Sequence, residues 1–120
     1  MATIVVDSAF VVHSALGPGL LESAYQACLA VELRARGIEV VTEVAFPVHY
    51  RETAVEVGYR VDMVVGGSIL VENKAVKELV PIHEAQLLTY LKLSGLKLGF
   101  LINWNVPRIK DGIKRMVNRL

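Results

Sequence analysis

The chain has 120 residues, which suits one domain with one core over residues 1–120, and about two-thirds of the unfolded surface can then be buried without a disulfide or structural metal. Hydrophobic residues make up 53% and charged residues 21%, a balance that calls for a sheet covered on both faces, a subunit contact such as a homodimer, or both. The net charge of +1 excludes a global field that would draw a polyanion, so any basic partner surface has to be local.

Met1 to Asp7 carries no basic stretch and no cleavage site, so it does not read as a secretory signal. No apolar run approaches the ~18 residues that a membrane span requires. Cys28 is the only cysteine, which rules out an intramolecular disulfide, and the chain reads as cytoplasmic with no membrane partner. Set among apolar residues, Cys28 itself reads as a structural thiol.

The first predicted helix runs from about Thr3, its cap, to Leu16, on the spacing of Ile4, Val5, Ala9, Val12 and Leu16. Gly17-Pro18-Gly19 breaks it. A second helix runs from about Leu20 to Arg36 and closes on Gly37, with Leu21, Tyr25, Cys28, Leu29 and Leu33 as its apolar stripe. Glu22 and Tyr25 share a face near its start. An acid in a first turn suits the helix dipole; the functional reading is that Glu22 adds a carboxylate to a site formed downstream. The loop before this helix can hold a phosphate, although any tight interhelical turn uses the same residues.

Ile38–Val44 and Ala45–Tyr50 read as two strands, with Pro47 setting the second at an edge or bulge. Arg51 to Ala54 is a polar turn. Val55 to Val65 then alternates: Val55, Val57, Tyr59, Val61, Met63 and Val65 face one way, and Glu56, Gly58, Arg60, Asp62 and Val64 the other. A Gly66-Gly67-Ser68 turn joins this strand to Ile69–Lys74 as a hairpin.

The register of that turn decides what the hairpin can do. A three-residue loop pairs Val65 with Ile69 and sets Asp62 opposite Glu72, with Cβ atoms about 5 Å apart. Lys74 then shares the face, about 6–7 Å along the strand. A two-residue turn would put Asp62 opposite Val71 and turn Glu72 to the other face. Two facing carboxylates repel and need a positive partner, either a lysine or a divalent cation. An Asp followed by Glu-x-Lys on the next strand has the donor set for metal-assisted phosphodiester cleavage. On these three residues alone, a surface carboxylate pair bridged to Lys74 is the simpler reading.

After a connector, Pro81 opens a helix to Ser94 that stops at Gly95. Gln86 and Tyr90, four apart, stack on one side of it with His83 nearby. Lys97–Asn103 reads as an apolar strand. Pro107 starts a last helix to Leu120, whose Arg108, Lys110, Lys114, Arg115 and Arg119 form a solvated face or a phosphate track. His13, His49 and His83 lack metal-ligand spacing, and there is no Walker-type loop or dinucleotide fingerprint.

Gly19-Leu20-Leu21-Glu22-Ser23-Ala24-Tyr25 resembles the defining motif of the GxxExxY proteins of the PD-(D/E)xK nuclease superfamily. His13 to Gly19, Gly58 to Asp62, Val71 to Val76, His83 to Tyr90 and Asn103 to Pro107 resemble further segments of that family, in order. The resemblance implies an α/β fold with a central mixed β-sheet flanked by helices, restriction-endonuclease-like in its core. It implies a metal-dependent nuclease using Mg²⁺ or Mn²⁺, with nucleic acid as partner and DNA ahead of RNA. Asp62 and Glu72 would be metal ligands, with Glu22 as an auxiliary acid. Lys74 would orient the attacking water, and Gln86 and Tyr90 would support the scissile phosphate. Val61 replaces the proline of the superfamily's name, and Asn73 is polar where an apolar residue is usual. The other reading is a non-catalytic nucleic-acid- or protein-binding module that keeps the fold, as a homodimer or otherwise.

Overall fold

The computed structural model describes residues 1–119; Leu120 and the side chain of Val57 lie outside the described residues. Two helices come first, α1 (Ala2–Leu16) and α2 (Glu22–Ala35). Strands β1 (Val40–Tyr50), β2 (Thr53–Val65) and β3 (Ile69–Lys74) follow, then helix α3 (Pro81–Ser94) and strands β4 (Leu98–Asn103) and β5 (Ile113–Val117). The five strands form one sheet in the order β1-β2-β3-β4-β5. Every pairing is antiparallel except β3 with β4, which are parallel and joined across α3, as a parallel pair requires.

Both faces of the sheet are covered, which is where the high apolar content goes. Ile69, Val71, Phe100 and Ile102 pack in one cluster with Val5 and Ala9 of α1 and with Leu29 and Leu33 of α2. Leu70 and Leu101, one step out of phase, pack in a second cluster with Leu87 and Leu91 of α3. β3 and β4 are thus buried almost from end to end, β3 with Glu72 and Asn73 following its apolar Ile69–Val71.

Several expectations change. α1 starts at Ala2 behind Met1, and no side chain caps it, so Thr3 lies inside the first turn. Leu21 is not part of the α2 stripe: it precedes the helix and is exposed. The two strands read before Tyr50 are one, with the register shift between Phe46 and Val48 falling at Pro47. The polar turn tightens to Arg51-Glu52, both at positive φ as a two-residue hairpin turn demands.

The largest correction is the C-terminal helix. In its place stand a short 3₁₀ turn, Ile109–Asp111, and strand β5. Without β5 the backbone groups along one side of β4 would be unpaired, and a buried strand cannot leave them so. Gly112 admits this return: a Cβ there would collide with the carbonyl oxygen of Asn103. The long-range ladder overrides the local charge pattern, and Lys114 turns to pair with Glu84 of α3 at 3.5 Å.

Candidate active site

The hairpin turn has the three-residue register. Val65 pairs with Ile69, Val64 with Leu70 and Met63 with Val71. That count brings Asp62 opposite Glu72, but the backbone ladder stops one step short of them. The carboxylates replace it. The Asp62 backbone N–H donates to Glu72 Oε1 at 3.0 Å, and the Asn73 backbone N–H donates to Asp62 Oδ2 at 2.8 Å. β2 stays paired with β1 as far as their turn, so the β1–β2 arm leaves β3 at this point and opens a fork in the sheet.

Glu43 on β1 marks the same place. It stands at φ 53, and pairing with β2 skips from Thr42↔Met63 to Val44↔Val61. Such a φ is uncommon outside glycine. The face alternation predicted through Val65 breaks here. Met63 and Val65 pack in the α1–α2 cluster, whereas Val61 joins Leu87 and Leu91 of α3.

Glu72 is only 5% exposed, and Asp62 is half-buried. Burial, then the charge of Asp62, pushes the Glu72 carboxyl up to about 8. Burial also raises Asp62, with Glu43 adding to it, while the Asn73 N–H and Lys74 oppose the shift. Each carboxylate keeps one oxygen that accepts no backbone N–H. The simpler reading of a surface salt bridge does not hold: Glu72 is withdrawn from water, and Lys74 forms no ion pair among the described residues. Lys74 still acts at longer range, lowering the pKa of Glu22, Asp62 and Glu72 alike.

A pocket of about 340 Å³ opens beside Asp62, walled by Glu22, Ser23 and Gln26 of α2 and by Glu43. Glu22 therefore does reach the neighbourhood of Asp62. Its partly desolvated carboxyl is raised first by burial, against Lys74 and with Asp62 and Glu43. Among the described residues no three His, Cys, Asp or Glu side chains close into a metal cage. From α3, the Gln86 amide donates to the Tyr90 hydroxyl at 2.8 Å. Burial first, then the charge of Glu72, raises the Tyr90 phenol. Gln86 itself is exposed.

Residues that sequence reasoning passed over hold this arrangement. Asn73, between Glu72 and Lys74, is fully buried. Its side-chain Oδ1 accepts from the Trp104 indole at 2.9 Å, and its amide nitrogen approaches Gln26 Oε1 at 3.5 Å. Trp104 stacks on Tyr25 with ring centroids 5.0 Å apart. The Tyr25 hydroxyl donates to Gly17 O at 2.6 Å and accepts from Leu20 N–H at 3.1 Å, fixing the loop ahead of Glu22. Tyr25 thus anchors the fold rather than facing the pocket. Asn103 clamps the chain after Lys74, exchanging hydrogen bonds with Val76 at 3.1 and 3.0 Å. Tyr59 completes a stack, 5.3 Å from Phe46 and 4.8 Å from Tyr90. The only signals for Asn73 in the sequence were its polarity in an apolar run and its place between two candidate residues.

A family model described as the PD-(D/E)XK nuclease superfamily matches residues 1–116. No curated protein and no solved structure matches the chain. The chain belongs to the PD-(D/E)XK nuclease superfamily, whose members generally use divalent metals such as Mg²⁺ and act on nucleic acid.

Proposed function

We propose that this member of the PD-(D/E)XK nuclease superfamily hydrolyses phosphodiester bonds in nucleic acid, DNA ahead of RNA, and that it falls in the GxxExxY branch. The observation that carries the reading is the fork at Asp62. Two partly or wholly desolvated carboxylates hold each other's strand through backbone N–H groups, each with one oxygen that accepts no backbone N–H. Burial first, then the charge of Asp62, raises Glu72 to about 8, and burial raises Asp62 as well; hard oxygen donors of this kind fit Mg²⁺ or Mn²⁺. Asp62 and Glu72 would hold the ion, with Glu22 contributing across the pocket.

A bound divalent cation would polarise the phosphoryl oxygen and lower the pKa of a bound water. The chain's own residues do the rest. Lys74, two residues beyond Glu72, orients the attacking water and offsets negative charge as it develops on the phosphate. Gln86 fixes the Tyr90 hydroxyl, which offers a hydrogen bond at the α3 edge of the site. Asn73 keeps Asp62 from turning away.

Incubation of purified protein with DNA and RNA in Mn²⁺ tests the reading. Cleavage by the wild type that falls at least about a hundredfold in Asp62→Ala and in Lys74→Ala supports it. Equal cleavage by all three proteins identifies a contaminant and ends the proposal. Binding of nucleic acid without turnover would favour the non-catalytic module.

A further inference from the structure

Across the Gly17–Leu20 loop from the acidic pocket lies a second cavity, of about 410 Å³. Gly17 and Pro18 form one wall, and the turn carrying Arg108 and Lys110 forms the other. His13 closes the floor; it is buried, and its Nε2 lies 2.9 Å from the Val106 carbonyl. Ser14 and the 41%-exposed ring of Phe10 complete the rim. No acidic side chain lines the cavity, and neither Arg108 nor Lys110 has an ion-pair partner among the described residues.

We infer that this cavity is a subsite for an unpaired nucleotide of a nucleic-acid strand that runs past the acidic pocket, with its phosphate on Arg108 and Lys110 and its base on Phe10. Cations beside an exposed aromatic ring are the combination that grips single strands: the charge follows the backbone, and the ring stacks a base of any identity. The cations also lie near the C-terminal end of α1, where a helix dipole favours positive charge. That accounts for their sign but not for a cavity free of acids with an exposed ring on its rim. The distance also fits. Pro18 lines this cavity and Leu21 lines the acidic one, three residues apart. Extended chain of that length spans at most about 10 Å, so these two lining residues are close enough for one strand to pass both cavities. The loop between them is fixed by the Tyr25 hydroxyl, so the two sites keep a constant separation. The inference rests on nucleic acid being the ligand of the acidic site, as proposed above, though not on its being cut.

Fluorescence anisotropy with a labelled single-stranded oligonucleotide, in EDTA so that cleavage cannot intervene, tests it. The comparison is between wild type, an Arg108→Gln/Lys110→Gln double variant, Phe10→Ala, and Lys97→Gln as a control just before β4. The double variant should bind at least about tenfold more weakly and lose about 0.7 from the slope of log K against log salt, the value for one phosphate contact on a single strand. Phe10→Ala should lose at least about fivefold on the single strand and little on a duplex of the same sequence. Lys97→Gln should match wild type. No binding by the wild type, or equal losses in the double variant and Lys97→Gln, overturns the inference. Binding that depends on Arg108 in a protein that never cleaves would sink the catalytic proposal and leave this subsite standing.

Discussion

The Trp104 indole donates to the Asn73 side chain at 2.9 Å, deep in the molecule, joining the loop after β4 to the strand that carries Glu72 and Lys74. Asn73 in turn gives its backbone N–H to Asp62. A polar residue in an apolar run is therefore the fastening between core and site. Trp104→Phe keeps an aromatic ring against Tyr25 but leaves Asn73 Oδ1 without its donor. An unpaired buried acceptor costs about 1–3 kcal/mol, and the smaller ring adds a void. Urea denaturation should show a loss of at least that size with an unchanged m-value.

Glu72 makes stability depend on pH. Its carboxyl sits at about 8 in the folded chain against an ordinary 4.5, so between those values the folded state holds more protons than the unfolded one. The stabilisation is complete below the lower value and is lost as pH rises through the upper one. The slope should approach, at most, about 1.4 kcal/mol per pH unit. Glu72→Gln, which keeps an acceptor for the Asp62 N–H, should flatten the profile in metal-free urea titrations from pH 5 to 8.

A divalent cation should displace that proton. Titrating Mn²⁺ into wild type at pH 7 should release protons to the buffer, because carboxylate ligands must be deprotonated to bind. Calorimetry in two buffers of different ionisation enthalpy measures the release. Glu72→Gln should bind more weakly and release less, and identical proton counts in the two proteins would count against Glu72 as a ligand.

Tyr59 stacks between Phe46 and Tyr90, yet its buried hydroxyl has no hydrogen-bond partner among the described residues. Removing that oxygen removes a desolvated, unpaired group without disturbing the rings. Tyr59→Phe should leave stability unchanged or raise it by up to about 1 kcal/mol, read from the urea midpoint. Tyr90→Phe should instead lose the hydrogen bond from Gln86, at a cost of about 0.5–1.5 kcal/mol if that bond has ordinary strength.

Gly112 permits the last strand. Gly112→Ala should cost about 1–3 kcal/mol, because the added methyl meets the Asn103 carbonyl. Hydrogen exchange should accelerate first along β5, whose pairing starts from this corner.

The sequence by itself determined the elements whose patterns are local. The Pro81 start and Gly95 stop bound α3 to the residue, and the Gly66-Gly67-Ser68 stretch narrowed the hairpin to two registers, of which the structure takes the one that brings Asp62 opposite Glu72. A turn and the strands it joins are adjacent in the chain, so counting reduces the choice to one residue of register. Tertiary structure decided the rest. β5 exists because β4 needs a partner, a demand invisible in the basic, helix-like run from Pro107 onward. The fork at Asp62 exists because β2 follows β1 and leaves β3, with Glu43 at positive φ where they part. Asn73, Trp104 and Tyr25 meet across 79 residues of chain, as the numbering from Tyr25 to Trp104 gives, and no local period encodes such a contact. Short-range steric rules can be read from residue types. The burial that raises Glu72, and the hydrogen bonds that hold Asp62, exist only once distant segments have packed.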